Sequence, residues 1–192
     1  MPDNNTNTNT NNSSYVSAGK PKVGGAVFRA PLGTTVPTDA TTALNEAFVC
    51  MGYISEDGVK NDISRTVEVI RAWGGDPVLE TQTEKIDDFK MTFIEAMNPE
   101  VLKAVHGDTN VSGTLSTGLT VHENSKELET AAWIIEMILN GGVLKRTVIP
   151  QGKITEIEEV TYDDSNAIGY GCTISAKSDS NGNTHHEYFK EQ

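Results

Sequence analysis

Nucleophilic or metal chemistry in this chain would depend on a small set of thiols and imidazoles: Cys50, Cys172, His106, His122, His185 and His186. A thiol nucleophile needs a histidine beside it, and no local motif places one near either cysteine. His185 and His186 could join a cysteine at a metal, but adjacent strand residues point to opposite faces. We therefore predict no catalytic residue, no metal site, two buried free thiols and histidines on strand surfaces.

Acid–base chemistry would have to come from the carboxylates, and three adjacent pairs occur: residues 87–88, 158–159 and 163–164. Glycosidases hold two carboxyl groups across a cleft, which adjacency in the sequence does not supply. The Gly-Tyr-Gly at residues 169–171 lacks the rest of a dinucleotide-binding motif. We therefore predict a solvated acidic face, no cofactor and no enzymatic activity.

The formal net charge is -12, and an acidic chain repels the phosphates of DNA. A nucleic-acid-binding function is therefore disfavoured, whereas a surface that must let a polyanion pass without holding it suits this charge. Aromatic residues make up only 6% of the chain. Together with abundant Gly, Asn, Ser and Thr, this composition favours strands and turns over a helical bundle.

The chain is predicted to divide into a tail and one domain. Residues 1–20 begin with a tract rich in Asn and Thr, which cannot bury enough apolar surface to order itself, so a disordered tail is expected. We also expect no signal peptide and no membrane anchor. Residues 21–192 form the domain, and residues 17–43 form an extended arm with one short strand.

Strand patterns follow from residue 48 onward. Residues 48–54 are a continuous apolar run that predicts a strand buried on both faces, residues 63–73 are rich in β-branched side chains, and residues 80–85 predict an edge strand or a solvated ribbon. In residues 88–96, Phe89, Met91 and Phe93 share one face. Further strands are predicted at residues 143–149, 153–162, 168–177 and 184–189.

One short helix is predicted after Asn98, with Pro99 at its first position and Gly107 at its end. Residues 113–122 predict a hairpin. Residues 127–140 fit a helix or a strand, and the Asn-Gly-Gly turn that follows favours the strand. The predicted fold is therefore mainly β, a β-sandwich or small barrel with one short flanking α-helix and an extended N-terminal arm.

Five segments, taken in order, resemble tail tube proteins of long-tailed, siphovirus-type bacteriophages: residues 51–59, 70–76, 89–95, 148–156 and 170–188. The resemblance implies hexameric rings that stack into a tube, through which the genome and a tape-measure protein pass. It implies that the partners are further copies of the chain, the tape-measure protein and the tail terminator and baseplate proteins. It also implies a place in the virion tail, after assembly in the host cytoplasm.

Within that resemblance, residues 56–85 match best the loop that joins successive rings. The subunit-interface candidates are Glu56, Asp57, Arg65, Arg71, Trp73, Asp76, Glu80 and Glu84. A lumen lined by carboxylates would keep the DNA mobile. The alternative function is a β-sandwich decoration or adhesin module of a phage particle, which exposed aromatic side chains in the loops would favour.

Overall fold

The computed structural model describes residues 11–192, so the first ten residues of the predicted disordered tail lie outside the described part. The strands are β1 (Lys20–Pro21), β2 (Val27–Pro31), β3 (Val49–Cys50), β4 (Lys60–Arg71), β5 (Pro77–Phe93), β6 (Val111–Thr114), β7 (Gly118–Val121), β8 (Ala131–Ile138), β9 (Leu144–Ile157), β10 (Tyr170–Ala176) and β11 (His186–Lys190). Helix α1 spans Pro99–His106. The predicted mainly β fold with a single short helix is confirmed for the described residues.

Nine of these strands form one antiparallel sheet in the order β3-β2-β8-β9-β10-β5-β4, with β1 beside β8 and β11 beside β9. Residues 49–55 connect the two sides of this sheet. The Met51 amide donates to the Val27 carbonyl of β2 at 2.9 Å, and the Ser55 amide donates to the Thr92 carbonyl of β5 at 2.9 Å. This segment therefore lies between β2 and β5 and closes β2, β8, β9, β10 and β5 into a small barrel.

The prediction of a strand buried on both faces at residues 48–54 was wrong. Only Val49–Cys50 forms a strand, with Val49 exposed and Cys50 half-buried. At Gly52 the backbone has φ +72°, and a Cβ there would overlap the Glu95 carboxyl group. The chain bends at Gly52 because it must leave the edge of one strand and reach the edge of another, and glycine adopts this conformation without strain.

The main core fills the inside of the barrel. Phe93 and Trp133 stack there with ring centroids 6.4 Å apart, and the Trp133 Nε1–H donates to the Gly152 carbonyl at 3.1 Å. Helix α1 packs its buried residues against this cluster. The helix bounds were predicted correctly, because the Asn98 side chain accepts the Glu100 amide and Gly107 ends the helix.

Residues 143–149 and 153–162 were predicted as two strands, but β9 runs as one strand from Leu144 to Ile157. Its pairing with β8 changes register: Trp133 lies opposite Ile149, whereas Ala131 lies opposite Gly152. Pro150 stands at this irregularity, where its missing amide costs no regular ladder hydrogen bond. Residues 131–138, where helix and strand both fitted the pattern, form strand β8 as favoured.

A loop of residues 36–48 covers a second, smaller core on the other side of β8 and β9. Arg146 fixes this loop: its Nη1 donates to the carbonyls of Asp39 and Thr42, both at 2.8 Å. Its Nε also donates to a Glu136 carboxylate oxygen at 2.8 Å. The two charged side chains are only 3% and 5% exposed, so this ion pair is buried beneath the loop that it holds.

Candidate assembly surface

The long hairpin of β4 and β5 extends beyond the barrel. From residue 63 to residue 86 the two strands pair with each other alone, and both outer edges lack a strand partner within the described residues. At about 3.3 Å per residue, the nine β4 residues from 63 to 71 extend roughly 30 Å. We call residues 63–86 the ribbon. The segment predicted to join successive rings is thus mostly a hairpin, with register irregularities between Thr66 and Val67 and between Ile70 and Arg71. The solvated ribbon predicted at residues 80–85 is confirmed.

The ribbon exposes an unusual number of large apolar side chains: Ile63, Val67, Ile70, Trp73, Val78, Leu79 and Ile86. Trp73, in the turn between the strands, is fully exposed at 106%. The turn itself is held by the Ala72 amide, which donates to the Asp76 carbonyl at 2.8 Å. Clusters of exposed apolar side chains on one element mark interaction sites on soluble proteins.

The two faces of the ribbon differ in charge. Residues opposite each other in an antiparallel pair share a face, and the register places Arg65 opposite Lys85, Val69 opposite Glu80 and Thr66 opposite Glu84. Residues 63, 65, 67, 69 and 71 with their partners therefore carry three cations and two carboxylates, of which Asp87 at the base is buried, and we call this the basic face. Residues 64, 66, 68 and 70 with their partners carry Glu68 and Glu84, and we call this the acidic face.

A buried carboxylate fastens the base of the ribbon to the chain just before β11. Asp87 is 3% exposed; it accepts hydrogen bonds from His185 Nδ1 at 2.6 Å, Asn61 Nδ2 at 2.9 Å and the Thr184 hydroxyl. Burial raises the pKa of Asp87, but the hydrogen bonds from Thr184, Asn61 and His185 together lower it below the usual 3.8. The ribbon therefore leaves the barrel from a fixed, ionised anchor.

The interface candidates from the sequence all lie on or beside the ribbon, and all are exposed. Glu56 and Asp57 occupy the turn before β4. On the ribbon, the basic face carries Arg65, Arg71 and Glu80, the acidic face carries Glu84, and the turn holds Trp73 and Asp76. Their role in contacts between subunits stays a prediction. Lys85 and the apolar members of both faces were not predicted as interface residues, and the strand register identifies them.

The two cysteines and the two adjacent histidines are at least partly buried by their neighbours. Cys50 and Cys172 are free, and burial, followed by the negative charge of Glu158, raises the pKa of the Cys172 thiol to about 12. Cys50 is half-buried rather than buried. His185 and His186 are also half-buried, and they contact Asp87 and Asp179 rather than solvent alone. They were predicted as surface strand residues; both are partly exposed, and His186 lies in β11 whereas His185 directly precedes it.

Within residues 11–192, no group of three or more His, Cys, Asp or Glu side chains is arranged to hold a metal ion. In the same part of the chain, no helix has the length and apolar character needed to cross a bilayer.

Comparison with known proteins gives one family. A family model described as "Phage tail tube protein" matches residues 8–192, which includes the barrel, the helix and the whole ribbon. No curated protein matches the chain significantly.

Proposed function

This chain belongs to the phage tail tube protein family and is a structural component of a phage tail; we propose that its copies form hexameric rings that stack into the tube. The genome and a tape-measure protein pass through the lumen, and the ends of the tube meet the tail terminator and the baseplate. The subunit is non-enzymatic and joins the tail in the host cytoplasm. The family match favours this function over a decoration or adhesin module.

The ribbon is the observation that carries the proposal. An isolated two-stranded hairpin is at best marginally stable in water. This one nevertheless exposes apolar side chains on both faces, and its two outer edges have no strand partner among the described residues. Unpaired edges invite pairing with other chains. Contact with neighbouring copies would remove these apolar groups from water and supply partners for the edges, and contacts of this head-to-tail kind continue along an axis.

The net negative charge of the chain supports a role as a conduit for DNA. With a net charge of -12, a wall built from many copies would repel the DNA backbone rather than bind it. A basic wall would hold the phosphates through many contacts, with an affinity that falls steeply as salt is added. The composition therefore suits a channel through which DNA must slide.

Electron microscopy of the concentrated, purified full chain tests the proposal. We expect tubes or six-fold rings, whereas a species that stays monomeric or trimeric at every concentration would contradict it. A matched variant replaces residues 67–83 with Asn-Gly, a dipeptide that connects paired strands through a type I′ turn. Because Thr66 and Glu84 are already paired, this variant should keep the barrel and its cooperative unfolding but lose the tubes.

A further inference from the structure

A second surface of this chain is complementary to the ribbon. It is a groove of about 370 Å³ beside the second half of β9; Leu128, Ile154 and Ile157 supply apolar walls, and Glu127 and Glu156 supply carboxylates. We call it the acidic groove. Resting on the tube function proposed above, we propose that the basic face of the ribbon of one copy docks against the acidic groove of a neighbouring copy.

The groove lies in the most acidic part of the described chain. Residues 154–176 contain five carboxylates and no Lys, Arg or His. Among the described residues, Lys153 is the one cation that lines the groove, and it is already paired with Glu127 at 2.7 Å. Glu156 has no cation beside it; it accepts only a long hydrogen bond from the Thr173 hydroxyl, at 3.4 Å. Glu127 is thus balanced by Lys153 and also lies near Lys177, whereas Glu156 is the groove carboxylate that forms no ion pair among the described residues.

The basic face has the opposite imbalance. Arg65, Arg71 and Lys85 form no ion pair with any carboxylate of the described residues. Arg65 and Lys85 lie directly opposite each other across the hairpin, and like charges in that position are destabilising. An anionic surface placed over this face would offset that repulsion by attracting both cations.

The apolar groups match as well. On the basic face, Ile63 lies next to Arg65, and Val67 lies between Arg65 and Arg71. Both apolar side chains are about half exposed, at 51% and 50%. In the groove, Ile157 is 40% exposed. Docking would bury these side chains against each other with the charges around them, which is the usual arrangement of a protein interface, an apolar centre with a polar rim.

The pairing also explains how strongly acidic copies can associate. Copies with a net charge of -12 repel one another on approach, and a contact that places opposite charges together offsets this repulsion. Surface patches of opposite charge guide two copies toward each other and disfavour the orientations that bring like charges together. Since ribbon and groove are different surfaces, each bound copy still presents a free ribbon or a free groove, and the contact repeats from copy to copy.

A charge exchange in the full chain tests the proposal. The ribbon variant Arg65→Glu/Arg71→Glu should raise the critical protein concentration for tube formation about tenfold or more, since each tenfold corresponds to about 1.4 kcal/mol. Adding Glu127→Lys/Glu156→Lys to it should restore assembly toward the wild-type concentration. The matched control adds Asp163→Lys/Asp164→Lys instead, which changes the net charge equally but outside the groove, and it should not restore assembly.

Restoration by the groove lysines alone supports the docking. Normal assembly of the ribbon variant overturns it, as does equal restoration by both lysine pairs or restoration by neither. In each of those cases, tube formation by the wild-type chain would still support the proposed tube function. Absence of tubes from the wild-type chain itself would instead remove the proposed function and this inference together. Far-UV circular dichroism and urea midpoints check that each variant is folded.

Discussion

Replacing Arg146 with methionine removes the cation that holds the loop of residues 36–48 to the sheet. Breaking a buried ion pair by removing one partner costs about 3–5 kcal/mol, because the other charge stays buried. Here Glu136 keeps a second cation, since Lys22 Nζ lies 2.6 Å from its other oxygen, so the lower end applies. The carbonyls of Asp39 and Thr42 lose their donor too, but water can replace it in an exposed loop. We expect a loss of about 3 kcal/mol in the free energy of unfolding, and a fall of roughly 10 °C in Tm.

Urea unfolding followed by circular dichroism measures this loss, at a protein concentration too low for assembly to stabilise the fold. Lys145→Met is the matched control: Lys145 precedes Arg146 on β9 and pairs with Glu187 at 2.6 Å, but both side chains are partly exposed. Such a pair is worth about 0–1 kcal/mol. The double variant Glu136→Met/Arg146→Met should recover part of the loss, because it removes the buried carboxylate that Lys22 alone would otherwise balance. Equal effects of Arg146→Met and Lys145→Met would refute the reasoning.

Four further outcomes are expected. The folded-state pKa of Asp87 is lowered, so its contribution to stability is present above about pH 4 and is lost as pH falls below that value. The free energies of unfolding of wild type and Asp87→Asn, measured by urea titration, should therefore converge in acid. A difference that stays constant with pH would contradict this. A thiol reagent should label Cys50 well before Cys172, whose pKa is about 12; equal labelling rates in the folded chain would exclude the buried thiol. The emission of Trp73 should shift to shorter wavelength on assembly, as shown by subtracting Trp73→Phe spectra, and an unchanged difference spectrum would mean that the ribbon turn stays in water. Deleting residues 1–14 should leave cooperative melting intact, and its loss would show that this tract supports the domain.

Local signals in the sequence determined a large part of this fold. The helix bounds follow from Asn98, Pro99 and Gly107, whose capping geometry involves only near neighbours. The alternation of Phe89, Met91 and Phe93 placed one face of β5 in the core, and the Asn-Gly-Gly turn at residues 140–142 joined β8 to β9. The family resemblance, spread over five segments, is confirmed by the match over residues 8–192.

Only the tertiary structure decided the features that depend on distant partners. Residues 48–54 look like a buried strand, but they cross from β2 to β5 because those two edges face each other. Pro150 looks like a strand end, yet β9 continues because its irregularity is matched by β8. Asp87 became an anchor, and Lys85 came to share a face with the arginines of the ribbon, only once strand register was set. A sequence fixes the preferences of each short segment, whereas burial, register and charge pairing arise between segments far apart in the chain, where no local pattern records the partner.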